Sequence, residues 1–227
     1  MSDIEEFNEC NEAFMNSIGH AMSLLVPSVF PNSLEILGKT NTLHCADVNS
    51  LDTSKVERFL GIVKKCLGNF YSKHKGPYWE ADKLDEMEEP GLVYIWYEHE
   101  GAISCFLSVM MVLEPLGKTL YLYEIHVLPE FQGHQLGTKL MTHFHDFGAL
   151  LNSKSQESSS LRRHFASVAT GLTVFSDNKR AFKWYVKFGY KFAVDSPLDK
   201  PLRNGKILKP TVYVLSRPLN DTAPVSI

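Results

Sequence analysis

The chain has 227 residues, 44% of them hydrophobic and 22% charged, enough to bury one substantial core or two small ones. Fourteen Phe, nine Tyr and three Trp exclude a disordered chain, which needs low hydrophobicity and high net charge. With 23 Lys and Arg against 26 Asp and Glu, the net charge of -3 supplies no overall basic field to hold nucleic acid by its phosphates, and a cationic partner fits better.

Cys10, Cys45, Cys66 and Cys105 stand far apart with no C-x-x-C pair, which reads as reduced, buried thiols of an intracellular protein. The most apolar early stretch, Met22 to Phe30, is short, contains Pro27 and lacks a basic flank before it, so neither a signal peptide nor a membrane span is expected.

In chain order, Phe7, Phe14, Ile18, Met22 and Leu25 recur three or four apart and predict an amphipathic helix over 4–25. An extended region follows over 33–47. Val56, Phe59, Leu60, Val63, Leu67 and Phe70 form the stripe of a helix opening near Ser54, with Asp52 or Thr53 as its cap. From Leu92 the rhythm becomes that of three strands in hairpin order, LVYIWYEHE, AISCFLSVMMVL and LYLYEIHVL, turning at Gly101 and at Pro115 to Lys118. The segment PEFQGHQLG then enters a helix over about 136–151, on which Leu136, Leu140, Met141, Phe144 and Phe147 align. Residues 152–163, NSKSQESSSLRR, read as a solvent loop with no packing of its own. ASVATGLTVF returns to strand character, Ser176-Asp177-Asn178 cap a helix over 179–188, and YKFAV and PTVYVLS follow on either side of a basic loop. The expected organisation is 1–32 as N-terminal helix and linker packing on the domain, 33–217 as the domain, and 218–227 as a flexible tail.

Two constellations carry chemistry. Tyr121, Tyr123 and Glu124 end a strand that leads into Gln132-Gly133-His134-Gln135-Leu136-Gly137 at a helix start, where backbone N–H groups and the helix dipole suit a pyrophosphate. Asn178, Ala181 and Tyr185 share one face of a helix that stops at Gly189, an arrangement that also suits plain packing on a sheet. His143, His145 and Asp146 are spaced so that the imidazoles point apart, and His126, His134 and His164 look isolated, so no metal site is expected. Glu80, Asp82, Asp85, Glu86, Glu88 and Glu89 crowd one segment against Lys83 alone; such a run is ordinarily a solvated face, and beside Tyr71 and Trp79 it also suits a basic peptide.

Together these segments resemble the GCN5-related N-acetyltransferase (GNAT) family. Its phosphate loop reads Q/R-x-x-G-x-G/A and its later helix often reads N-x-x-A-x-x-x-Y-x-x-x-G-F/Y. Residues 178–190 match the helix at every fixed position, while Gln135 stands where the loop usually has glycine. Over 55–217 the chain is most similar to the NatD group of histone N-terminal acetyltransferases. The matching stretches are Phe70-Tyr71 with Trp79, Lys83 and Glu86-Met87, Tyr121-Leu122-Tyr123-Glu124, Leu172-Thr173-Val174-Phe175 with Asn178, Val194-Asp195-Ser196-Pro197, and Tyr213 to Arg217. An acid expected on the preceding strand has no clean counterpart; Val112 stands nearest, with Glu114 two places on.

The resemblance implies an α/β GNAT fold, a mixed and mostly antiparallel sheet flanked by helices with an extra N-terminal helix. It implies acetyl-CoA as cosubstrate without a metal, Glu124 as base through water and Tyr185 as acid to the CoA sulfur. The main chain of Ile125, His126 and Val127 would take pantetheine with Asn178, and Gln132, Gly133, His134, Gln135, Leu136, Gly137 and Thr138 would hold the pyrophosphate. Tyr71, Tyr121, Tyr123, Thr173 and Tyr213 would line a peptide groove. The implied reaction is acetylation of the free N-terminal serine of histone 4 and histone 2A tails by a monomer of cytoplasm and nucleus that binds neither nucleic acid nor membrane. Acetylation of another N-terminus or a small polyamine, and an inactive acetyl-CoA-binding regulatory module, remain the alternatives.

Overall fold

A computed structural model describes Phe7 and residues 11–157, 159–203 and 205–219. Helix α1, Glu12–Ser23, starts at Asn11, whose side chain accepts the Phe14 N–H at 3.0 Å; the rest of the expected helix before Asn11, and Cys10, lie outside the described residues apart from Phe7. Strands β1, Ser33–Ile36, and β2, Lys39–Asp47, form a hairpin over the expected extended region. Helix α2, Thr53–Lys75, is capped by Asp52, which accepts the Lys55 N–H at 2.7 Å.

Helix α3, Trp79–Met87, occupies the acidic run. Its buried residues are Trp79, Lys83 and Met87, four apart and therefore on one face. Strands β3, Val93–His99, β4, Ala102–Glu114, and β5, Gly117–Val127, follow as consecutive antiparallel neighbours. Helix α4, Leu136–Lys154, crosses over to β6, Ala169–Phe175, which lies parallel to β5, as a parallel pair requires a long connection. Helix α5, Lys179–Lys187, the short β7, Lys191–Phe192, a small hairpin of β8, Lys200–Pro201, with β9, Ile207–Leu208, and β10, Val212–Pro218, complete the chain. The main sheet runs β1-β2-β3-β4-β5-β6-β10-β7.

Both faces of this sheet are covered. Val93, Ile95, Cys105, Leu107, Val109, Leu120 and Leu122 face Ile18 and Met22 of α1 and Leu140, Phe144 and Phe147 of α4. Tyr94, Trp96, Phe106 and Met110 face Phe59 and Val63 of α2 and Trp79 and Met87 of α3. Strands buried on both sides read as unbroken apolar runs rather than as alternations. Among the described residues no helix is long and apolar enough to cross a membrane.

One expectation fails here. Residues 152–163 are not an unpacked loop: α4 continues to Lys154, Leu161 packs against the core, and Glu157 pairs with both Lys154 and Arg162. Asn152 fastens the segment to the chain entering β6, donating to the Ser167 carbonyl at 2.9 Å and accepting the Ser167 N–H at 2.7 Å. At the other end, the Leu219 N–H bonds the Val168 carbonyl, while residues 220–227 of the expected tail lie outside the described residues.

Helix α1 is seated by backbone contact. The Asn16 side chain accepts the Gly91 N–H at 3.0 Å, and a Cβ on Gly19 would stand 2.7 Å from the Gly91 carbonyl oxygen. Alanine raises helix propensity by about 1 kcal/mol, but forcing a backbone apart costs about 1–3 kcal/mol. Gly19→Ala should therefore lower unfolding stability in urea by about 1 kcal/mol net; a stability gain would show that α1 is not held by this contact.

Candidate active site

The site begins with a fault in the β4–β5 ladder. Register passes from Ser108 opposite Glu124 to Val109 opposite Leu122, leaving Tyr123 as an extra residue. Such a bulge reverses which positions face which side. Before it, Leu120 and Leu122 face α4; after it, Ile125 and Val127 do, and Tyr121, Tyr123, Glu124 and His126 all come to the α2–α3 side. Parallel pairing of β5 with β6 covers only Thr119 to Leu122 against Ala169 to Leu172. Beyond Leu122 the strands part, and among the described residues none pairs with 123–127 on that edge.

The parting opens a cleft of about 1290 Å³. Its floor holds three buried charges. Glu124, 5% exposed, is bonded through Oε1 to Lys83 Nζ and through Oε2 to His126 Nε2, and Lys83, 3% exposed, also reaches Glu86 at 2.6 Å. Burial alone would raise the Glu124 pKa, but the charges of Lys83 and then His126, with their hydrogen bonds, hold it well below the usual carboxylate range. Burial likewise opposes the charge on His126, yet Glu124 pushes its pKa up to about 9. Burial works against the Lys83 ammonium too, and the Glu124 charge overcomes it. The proton-accepting role expected of Glu124 is thereby revised: both oxygens are committed to cations, so it is a fixed carboxylate. His126 is not the isolated histidine its sequence context suggested.

Aromatic hydroxyls surround this floor. Tyr71 stacks on Trp79 with centroids 4.4 Å apart, beneath Lys83. Tyr121 bonds Thr173 Oγ1 at 2.5 Å, and its ring crosses Gly171, where a Cβ would come within 2.8 Å of it. Burial raises the pKa of Tyr121 to about 12 and also raises those of Tyr71, Tyr123 and Tyr185, so each keeps its proton near neutrality.

At the other end lies the turn into α4. Ile125, Val127, Gln132, Gly133, Leu136, Gly137 and Thr138 line the cleft, and Gln132 Nε2 bonds the Val127 carbonyl at 2.9 Å. Gly133 and Gln135 both have positive φ, 85° and 59°; Gln135 carries a left-handed backbone that glycine adopts without penalty. Asn178 reaches the cleft while its Oδ1 caps α5 by accepting the Ala181 N–H at 3.1 Å.

Two expected site residues lie elsewhere. His134 is exposed and does not line the cleft. Tyr213 is opposite Val174, not Thr173, so it faces the α5 side, packs on Phe182 and Phe192, and bonds Asp199. Several cleft residues were not picked out in the sequence: Cys66, Arg180, Lys183 and Lys187, with Glu114 reaching the cleft where the strand acid was missing. Arg180, Lys183 and Lys187 recur at helical spacing and were open to detection; Cys66 carried no pattern. Arg180, Lys183, Lys187 and the α4 amides make one part of the cleft cationic, and Glu86 and Glu114 make another part acidic.

The buried charges give stability a pH signature. The lowered Glu124 pKa supplies stability above about pH 4.3 that is lost as pH falls through the folded value, whereas the raised His126 pKa supplies stability below about pH 6.5 that is lost as pH rises through the folded value. Wild-type Tm should thus fall between pH 6.5 and 9 more steeply than that of His126→Gln. Parallel slopes would show that His126 is not held charged.

The acetyltransferase (GNAT) family matches residues 57–153. N-alpha-acetyltransferase 40 of Saccharomyces cerevisiae is 36% identical over 154 residues, 63% of this chain and 51% of that protein, so the chain spans about half the length of this curated relative. Among solved structures, a protein of Pyrococcus horikoshii superposes with TM-score 0.51 at 15% identity, covering 78% of this chain and 98% of that one. A GNAT-family acetyltransferase of Listeria monocytogenes superposes with TM-score 0.50 at 15% identity, covering 82% and 99%. These likenesses concern the fold, a mostly antiparallel sheet flanked by helices. The chain has the GNAT fold, and within it residues 57–153 match the acetyltransferase (GNAT) family.

Proposed function

We propose that this chain transfers acetyl from acetyl-CoA to the free α-amine of a protein N-terminus, the substrate being the N-terminal serine of basic tails of the histone 4 and histone 2A type. The observation that carries the reading is a single cleft with a cationic part and an acidic part beside an unpaired strand edge. The name of the yeast relative supports the α-amine. Cytoplasm and nucleus as location, and a monomeric state, belong to the same proposal.

The residues fit the cosubstrate. Arg180, Lys183, Lys187 and the amides at the α4 N-terminus suit its phosphates, and the unpaired edge of 125–127 suits the amides of pantetheine. Acetyl-CoA supplies the activated acyl group. The Val127 N–H polarises the carbonyl, and the protonated Tyr185 hydroxyl, which stays neutral because it is buried, furnishes the proton for the departing sulfur. An α-amine has a pKa of about 8, so roughly a tenth is neutral at pH 7, against about one part in a thousand for lysine. A strong base is therefore unnecessary, and Glu124 orients the site by fixing Lys83 and His126. Tyr71, Tyr123 and the Tyr121–Thr173 pair form narrow walls that admit a small first residue. Glu86 and Glu114 favour a basic tail following it.

The test uses a basic peptide beginning with serine and its N-terminally blocked twin. Acetylation of the first alone is expected; modification of both, or of a polyamine in preference, would reject the proposal. Charge-assisted contacts are worth about 1.5–3 kcal/mol each, so Arg180→Glu with Lys183→Glu should raise the acetyl-CoA KM at least about tenfold while leaving the peptide KM nearly unchanged. An equal rise in both constants would remove the phosphate assignment.

A further inference from the structure

The reaction above gives no task to the far end of α2. The described residues of β5 and β6 do not pair past Leu122, yet both strands touch this helix. On the β5 side, Cys66 Sγ lies 3.6 Å from the Val127 carbonyl oxygen. On the β6 side, Phe70 and His74 stack on Phe175, the last residue of the strand, with centroids 5.8 and 5.3 Å away, and Tyr71 meets the same ring edge-on at 5.0 Å. Cys66, Phe70 and His74 are four apart and form one line along the helix. Helix α2 therefore lies across the gap and joins two strands that their own ladder leaves apart.

Asp177 closes this joint. Its Oδ1 bonds His74 Nε2 at 3.0 Å, and its Oδ2 pairs with Lys73. The Lys73 side chain is 64% exposed, where an ion pair contributes little. The His74 side chain is only 17% exposed, and because a carboxylate can only accept, Nε2 donates and the bond needs no charge on the ring. The turn that carries Asp177 is itself fixed: the Ser176 N–H donates to the Thr211 carbonyl at 3.0 Å and the Asn178 N–H to the Phe175 carbonyl at 2.9 Å. Helix α2 ends two residues after His74, at Gly76 with a φ of 87°, so a fixed turn grips the last turn of a helix.

We infer that Asp177 is a positioning residue for the peptide end of the cleft. Through His74 it holds the end of α2 against Phe175, and so sets where Tyr71 stands relative to Thr173 on β6. This rests on the proposed reading of Tyr71 and Thr173 as walls of the peptide slot. The groups that suit acetyl-CoA belong to α4, α5 and the β5 edge, and Asn178 is held by its own bonds, so acetyl-CoA binding does not pass through the joint.

The full chain is compared with Asp177→Ala, His74→Ala, their double variant, Asp177→Asn and Lys73→Ala. Steady-state turnover of the serine peptide is measured with acetyl-CoA binding by calorimetry, Tm, and amide exchange over residues 70–75. Each alanine variant at the bond should lower peptide kcat/KM about tenfold, through KM, because a displaced contact wall loses that much alignment. Acetyl-CoA Kd and Tm should stay close to wild type, and the double variant should be no worse than either single one, since all three remove one bond. Asp177→Asn, which keeps an acceptor oxygen, and Lys73→Ala should remain within about twofold of wild type. Exchange over 70–75 should be faster in Asp177→Ala. An unchanged peptide kcat/KM in Asp177→Ala, multiplied losses in the double variant, or a matching loss of Tm or of acetyl-CoA binding would overturn the positioning role and leave the proposed function standing. A wild-type chain that binds acetyl-CoA but never acetylates the peptide would reject the proposed function and the peptide role of Asp177 together. Exchange unaltered in Asp177→Ala would overturn the joint itself.

Discussion

The parting of β5 from β6 is the constraint on which the site depends. A parallel pair ordinarily satisfies its main-chain groups along its whole length, and unpaired buried groups are expensive. Here four register pairs, Thr119–Ala169 to Leu122–Leu172, hold the strands together, and then the ladder stops while both strands run on. On the β5 side the ladder ends at the bulge at Tyr123, which adds twist and leaves Glu124 turned to Lys83 of α3, with His126 beside it. The same extra residue that opens the sheet therefore delivers the charged side chains to the opening.

Those charges explain the shape of α3. A lysine at 3% exposure is tolerable only with a partner, and Lys83 has Glu124 below it and Glu86 on its own helix. Removing one partner would strand the others in a dry environment, which costs about 3–5 kcal/mol in comparable pairs. The helix is consequently pinned over β5 by Trp79 and Met87 through packing and by Lys83 through charge. Through Trp79 it also backs Tyr71 of the cleft wall.

Much of this was legible in the sequence. The runs from Leu92 to Val127 gave their three strands because Gly101 and the Pro115 to Lys118 turn punctuate them, and α4 was visible in its stripe of Leu136, Leu140, Phe144 and Phe147. The buried face of α3 was hidden because Lys83 interrupts the stripe of Trp79 and Met87, so the run looked uniformly solvated. Tyr213 was misplaced because β10 is apolar on alternate positions without indicating which face is which; only its pairing with Val174 decides. The bond between Glu124 and His126 was unreadable for the opposite reason. Two residues apart on a strand they share a face, but that the face is the one beneath Lys83 depends on a bulge that no local pattern announces.

Amide hydrogen exchange tests the parted strands directly. The account predicts that in the free protein the amides of Thr119 to Leu122 are protected, while several of those from Tyr123 to Val127 exchange rapidly and become protected when acetyl-CoA is added. Equal protection of both stretches in the free protein, unchanged by acetyl-CoA, would mean that the sheet is closed beside Glu124 and that no thioester enters there.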